Sequence, residues 1–312
     1  MIRDNEGRII LDNLKLVDNY VEGRKPKVWL TDGVKLYLFK MHAINYENYA
    51  ELIASELAKQ CDLSTATYDL AIYKGQTGIV TTSFLKSNEI IISGEEILSD
   101  GIKLAKRNNL GMTLDNSLDN IVTALNLRYS FTNINEISYS LISMWCFDIL
   151  ISESDRNSRN WSIISNKSGI KLAPIYDCST MAFLNNDISS YIKGMHSYST
   201  ILNMLDSLKL SMHYRGELSD ESIFVEFEAL CKQNLEYVCP IIENLLKINV
   251  DEAIKAIEKR HNLNKLGDKE FEIPPMINIW VSKIIELRKK DMINILKRTL
   301  RETKLPDQQV RI

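Results

Sequence analysis

The sequence predicts an α+β fold in which a small sheet with one helix comes first and a larger, mostly helical part follows. Three observations predict it. The 312-residue chain holds only twelve Gly and six Pro among long stretches of Leu, Ile, Glu and Lys, which favours helices over a sandwich of many short strands. Strand signals concentrate in the first 85 residues, with one later hairpin. From Gly94 onward apolar residues recur mainly at helical spacing.

In chain order, apolar runs at 27–31 and 35–40 flank Asp32-Gly33, a dipeptide suited to the positive φ of a tight hairpin. Residues 45–60 carry good helix formers with Ile53, Leu57 and Ala58 as the apolar side, and 68–73 and 78–85 read as strands around 74–77. Helices follow at 117–129 and 135–151. In the second, Ile137, Leu141, Ile142, Trp145 and Ile149 keep helical spacing and should be buried. An abruptly polar stretch, 152–160, then separates this helix from two short strands at 161–165 and 170–173 around the turn 166–169. Beyond about residue 195 the chain is helical again at 223–235, 250–259 and 276–301, with loops at 211–220 and 262–275.

Composition excludes several classes of function. Thirty-eight Lys plus Arg against forty-one Asp plus Glu give a net charge of -3, so no global field draws the chain to nucleic acid or anionic lipid, and neither is expected as a direct partner. Charges at residues 3, 4, 6, 8 and 12 interrupt any signal peptide, and the uncharged run 137–147 is far shorter than the ~20 residues of a membrane span. The five cysteines form no C-x-x-C pair and the four histidines show no metal-ligand spacing, which points to reduced thiols in cytoplasm and to oxygen ligands for any metal.

The chemistry-bearing residues cluster around the polar loop. Asp155 and Asn160 stand at the D-x-x-x-x-N interval by which a phosphotransfer loop sets a carboxylate at the acceptor hydroxyl and an amide at a metal ion. The same interval occurs at Asp115 and Asn120, where a helix cap explains it better. The hairpin after Asn160 delivers Asp177 at the end of a strand, where a second metal ligand would be wanted; a plain loop Asp and a turn former are the alternatives. Lys40 ends an apolar strand and needs a carboxylate if its stem is buried; Glu51 on the following helix is placed to reach it, with Glu47 and Glu56 as competitors and a solvated surface pair as the plain reading. Gly23 to Lys27, with one proline and three cations, could cover phosphates or be a solvated basic turn. No P-loop, dinucleotide fingerprint or G-x-S-x-G elbow occurs.

This order of elements resembles the HipA-like serine/threonine kinases. The resemblance is carried above all by Asp155-Arg-Asn-Ser-Arg-Asn160-Trp-Ser and by Leu172-Ala-Pro-Ile-Tyr-Asp177, which fit that family's D-R-[HN]-x-[KR]-N-[FWY]-[SA] loop and L-A-P-x-Y-D strand nearly throughout. It implies a bilobed protein-kinase-like fold, with residues 1–87 as a β-rich N-lobe and 88–312 as a helical C-lobe. It implies Asp155 as the base receiving the acceptor proton, and Asn160 and Asp177 as magnesium ligands. Lys40 would hold ATP phosphates, Glu51 would orient Lys40, Gly23 to Lys27 would lie over the phosphates, and the stretch after Phe84 would touch adenine. The chain resembles the compact members that lack the N-terminal subdomain, some of which are encoded beside small antitoxin-like proteins, so such a protein is one expected partner. No serine precedes Ser55, so the inhibitory phosphorylation beside the glycine loop of full-length members is expected to be absent or moved.

The resulting expectation is an ATP- and Mg-dependent kinase acting on a protein Ser or Thr, in a toxin-antitoxin or effector setting. Two readings compete with it. One is a catalytically inactive kinase-like module whose basic C-terminal helix, with eight Lys/Arg against three Asp/Glu between Lys283 and Lys304, meets a partner protein or nucleic acid. The other is a kinase of small molecules or lipid headgroups, which would share every catalytic residue.

Overall fold

The computed structural model describes residues 2–18, 26–41, 46–129, 134–186, 188, 198–262 and 272–303. The first part is a curled six-stranded sheet built from β1 (Ile9–Ile10), β2 (Lys15–Asp18), β3 (Lys27–Thr31), β4 (Leu36–Met41), β5 (Tyr68–Tyr73) and β6 (Gln76–Thr82), in the order β1-β5-β6-β4-β3-β2. Asp32 closes the β3–β4 hairpin: its carboxylate accepts the amides of Val34 and Lys35 and the Tyr37 hydroxyl, and Gly33 takes φ 92. These bonds, the backbone amides first, hold the Asp32 carboxyl down at about 2.

Strand alternation gives this sheet two different faces. Tyr37 and Phe39 join Ile9, Leu11, Leu30, Ala71, Tyr73 and Val80 in a small core closed by the N-terminal residues. Ile79 and Tyr68 turn instead toward α1 (Glu47–Gln60), whose Leu52, Ile53 and Leu57 belong to the main core. Strands β1 and β2 are invisible to local pattern, because β1 is two residues long and exists through its parallel pairing with β5. Strand β6 stops at Thr82, short of the expected Leu85.

A three-stranded sheet, β7 (Ile90–Ser93), β8 (Ser162–Asn166) and β9 (Gly169–Leu172), leads into the helical part, which holds α2 (Gly94–Arg107), α3 (Leu118–Arg128), α4 (Ile134–Ile151), α5 (Tyr198–Asp206), α6 (Ile223–Leu245), α7 (Val250–His261) and α8 (Pro275–Glu302). Among the described residues α4 alone has the length and apolarity of a membrane span; its Trp145, Phe147, Ile149 and Leu150 are fully buried in the main core. Helix α6 outruns the expected 223–235 by continuing through a non-helical Asn234 and past Pro240. Its second half still buries Val238, Ile242 and Leu245, so tertiary packing overrides the proline penalty.

Candidate active site

The site is built on three segments: the end of β4, the middle of α1, and the stretch from the end of α4 through β9 to Asp177. Register places Lys40 opposite Lys27 on one side and Ile79 on the other. Close packing of β6 on β4 requires Gly78, since a Cβ there would lie 2.1 Å from the Lys40 carbonyl oxygen. From this position the Lys40 ammonium donates to Glu51 Oε1 at 2.6 Å and to Asp177 Oδ1 at 3.1 Å, and lies 5.3 Å from the centroid of the Tyr68 ring. Of the three candidate glutamates, Glu51 is therefore the partner; Glu56 pairs with Lys59 and Arg260. Burial alone would pull the Lys40 ammonium down, but the charge of Glu51, with Tyr68 and Asp177, holds it well above its ordinary value. Burial likewise opposes ionisation of Asp177, yet Lys40, with Lys27 behind it, keeps that carboxyl at about 2. Asp177 sits at φ 58, a conformation Asp tolerates better than most residues, and donates its amide to the Tyr68 hydroxyl at 3.3 Å.

The loop 152–160 leaves few backbone groups unmatched. Glu153 donates its amide to the Asp148 carbonyl, and its own carboxyl oxygens accept the amides of Asp155 at 2.8 Å and Thr180 at 3.1 Å, together with the Thr180 hydroxyl. The Ser154 carbonyl takes the amide and hydroxyl of Ser211; the Arg156 carbonyl takes Asn116 Nδ2 at 2.9 Å; the Ser158 carbonyl takes the Glu95 amide from the first turn of α2. These bonds fix the backbone from which Asp155 and Asn160 project. Asp155 is exposed. Its carboxylate accepts Asn157 Nδ2 at 2.8 Å and Asn160 Nδ2 at 3.3 Å, while the same Asn160 nitrogen donates to the Asp155 carbonyl at 2.6 Å. The Asn160 side-chain oxygen makes no hydrogen bond among the described residues.

The two halves of the site are tied by Arg156, which sequence reasoning did not single out. Its guanidinium is fully buried, pairs with both oxygens of Asp148 at 2.9 and 3.0 Å, and donates from one nitrogen to the carbonyls of Asn160 and Tyr176 at 2.7 and 2.5 Å. The polar stretch 152–160 signalled a site, but nothing in it marked Arg156 as buried; the partner that buries it, Asp148, is an acid within the apolar run that ends the most apolar helix and was the available clue. Tyr68, Glu153 and Tyr176 were missed as well.

Phe84, just beyond β6, is half-buried and stacks on Tyr176 with ring centroids 6.3 Å apart, so the segment after β6 touches the residue preceding Asp177. Gly23 lies outside the described residues, with Arg24 and Lys25; Lys27 is in β3. Among the described residues no cluster of three or more His, Cys, Asp or Glu could by itself hold a metal ion. A carboxylate and an unengaged amide oxygen are instead the donor set of a hard cation that completes its shell with water and phosphate oxygens, so Asp177 and Asn160 fit magnesium.

Several cations of the basic C-terminal helix are engaged within the protein. Arg288 is buried against Ser152 and Leu205, Lys289 donates to the carbonyls of Leu246 and Ile248, and Arg298 pairs with Glu228. Lys304 lies outside the described residues.

Comparison with known proteins adds family and fold. The HipA-like C-terminal domain matches residues 20–246. No curated protein matches the chain. Among solved structures, the Helicobacter pylori proinflammatory kinase CtkA superposes with a TM-score of 0.71 at 15% identity, covering 94% of this chain and 99% of that one. HipA of Shewanella oneidensis MR-1, solved as a toxin-antitoxin complex with HipB and operator DNA, gives 0.46 at 13% identity, covering 94% of this chain and 67% of that one.

Proposed function

Because the chain belongs to the HipA-like C-terminal domain family, we propose that it is an ATP- and Mg-dependent kinase that phosphorylates a serine or threonine hydroxyl of a protein. The observation that carries this reading is the convergence of Lys40, Glu51 and Asp177 by direct bonds, with the Asp155–Asn160 loop clasped to the same cluster through Arg156. Lys40, kept protonated by two carboxylates, is suited to phosphate oxygens. Asp155, exposed and oriented by Asn157 and Asn160, is suited to accept the hydroxyl proton as the acceptor oxygen bonds to the γ-phosphorus and the bond to the ADP oxygen breaks. Magnesium held by Asp177 and Asn160 would neutralise phosphate charge. Phe84 and the residues after it would receive the adenine, and Gly23 to Lys27 would cover the phosphates.

Incubating the purified protein with γ-labelled ATP, magnesium and a cell lysate tests the reading. A labelled protein band bearing phosphoserine or phosphothreonine, lost in Asp155→Asn and in Asp177→Asn, is expected. Absence of any heat of ATP binding with magnesium present would favour a non-catalytic module, and label confined to small molecules or lipid would move the acceptor class.

A further inference from the structure

We propose that Arg156 is a positioning residue that sets the distance between the two metal-binding segments, so that the magnesium requirement of the site depends on a guanidinium that touches neither metal nor nucleotide. This rests on the function proposed above. One nitrogen of Arg156 donates to the carbonyl of Asn160 at 2.7 Å and to that of Tyr176, the residue before Asp177, at 2.5 Å. The two carbonyl oxygens therefore cannot be further apart than the sum of those lengths. The two segments are also linked at a second point, since the Tyr176 hydroxyl reaches Ser162 at 2.7 Å and the Arg159 carbonyl at 3.2 Å, but those bonds lie at the far end of the ring.

The remaining nitrogens of Arg156 are held from below. Nε and Nη2 take the two oxygens of Asp148, and Nη2 also reaches Cys178 Sγ at 3.1 Å, on the other side of Asp177. Asp148 is anchored by α4, a helix of the main core, and its backbone carbonyl receives the Glu153 amide. The chain of support runs from the core helix through Asp148 to Arg156, and from there to both carbonyls. Lysine could satisfy the charge but not this planar fork, which meets a carboxylate and two carbonyls in one plane of donors. The Lys40–Glu51 pair makes no bond to Arg156; Lys40 reaches the Asp177 side chain at 3.1 Å, whereas Arg156 holds the backbone carbonyls of the two segments.

A buried ion pair replaced by apolar side chains of similar size commonly leaves a fold as stable or more so, whereas removing one partner alone is costly. The test therefore uses Asp148→Leu/Arg156→Met together, with Arg156→Lys as the variant that keeps the charge. Thermal melts establish folding; calorimetry measures ATP binding in EDTA; titration of Mn2+ against the protein with ADP, followed by the electron paramagnetic resonance of free Mn2+, measures metal binding without turnover. The double variant should melt close to the wild type and bind ATP in EDTA within about twofold, with Mn2+ affinity about 10–100-fold weaker, as for loss of a group that orients metal ligands. Arg156→Lys should fall between the two. Wild-type Mn2+ affinity in either folded variant overturns the proposal.

Should the wild type bind no nucleotide, the functional reading fails while the clasp is still read from amide hydrogen exchange. Segments 157–161 and 175–178 should lose protection together in the variants, with 47–60 unchanged. Loss in only one of the two segments overturns it.

Discussion

The Lys40 ammonium lies 2.6 Å from the Glu51 carboxylate, the shortest of its bonds, and both side chains are largely withdrawn from solvent. The pair is reached from opposite ends: Lys40 projects from the penultimate residue of β4, and Glu51 from the second turn of α1, where Leu52 and Ile53 fix the helix against the core. Holding two such charges out of water costs several kcal/mol per ion, which their attraction offsets only in good geometry. A pair kept under that cost is more useful as a fixed cation than as a source of stability.

Lys40→Met should therefore abolish phosphoryl transfer and destabilise the fold by about 3–5 kcal/mol, because Glu51 is left buried without its counter-charge. Lys40→Met/Glu51→Gln should recover most of that stability in urea melts and none of the activity in an ATP assay. Recovery of activity would remove Lys40 from the phosphate site.

Asp155→Asn should lower kcat by about 10²–10⁴-fold, the usual contribution of a general base, while leaving ATP binding by calorimetry unchanged. The separation is expected because Asp155 is exposed and its two side-chain partners are Asn157 and Asn160, so its charge supports no buried group. A loss of nucleotide affinity equal to the loss of kcat would reassign it to binding.

Much of this arrangement is legible in the sequence because it is local. The spacing of Asp155 and Asn160, the hairpin that carries the chain to Asp177, and the strand-then-helix order of Lys40 and Glu51 are all read within a few dozen residues. What escapes is non-local. Strand β1 joins the sheet through its pairing with β5 some sixty residues on, and α6 passes Pro240 because the core holds both sides of it. Arg156 and Glu153 look like solvated loop residues until the fold brings Asp148, Tyr176 and Thr180 against them. A charged residue in a polar loop carries no sign of its burial; that is decided by what packs over it.

Gly78→Ala should weaken the protein and shift Lys40. The added methyl group would stand 2.1 Å from the Lys40 carbonyl and 2.8 Å from the Phe39 ring, so β4 must move away from β6. Overpacking of this kind costs about 1–3 kcal/mol. The expected result is a lower melting temperature together with weaker ATP binding, in contrast to Gly75→Ala at the neighbouring turn, where the methyl meets nothing and only the φ of 76 resists it. Equal effects on ATP binding from the two substitutions would contradict the role given to β4 register.

Stability should fall as pH rises through neutrality, and Glu153 should contribute to the slope, with the buried carboxyls of Glu51 and Asp148, also raised, acting in the same sense. Burial pushes its carboxyl up to about 8, against the Arg156 charge and the hydrogen bonds from Thr180 and the Asp155 amide, with Asp148 adding to the rise. A carboxyl raised in the folded state keeps its proton where the unfolded chain has lost it, so its contribution is complete below the ordinary glutamate range and disappears as pH climbs to the folded value. The window is from about 4.5 to 8. His261, which burial lowers to about 4, acts with the opposite sign and only up to its ordinary value of 6.5, and Asp177, held at about 2, lies below the window. Between pH 6.5 and 8.5 the melting temperature of the wild type should thus decline by more than that of Glu153→Gln, whose side chain keeps the shape without the titration. Identical declines in the two proteins would mean that Glu153 is ionised beside Arg156 at neutral pH, and that Thr180 and the Asp155 amide are bound by a carboxylate.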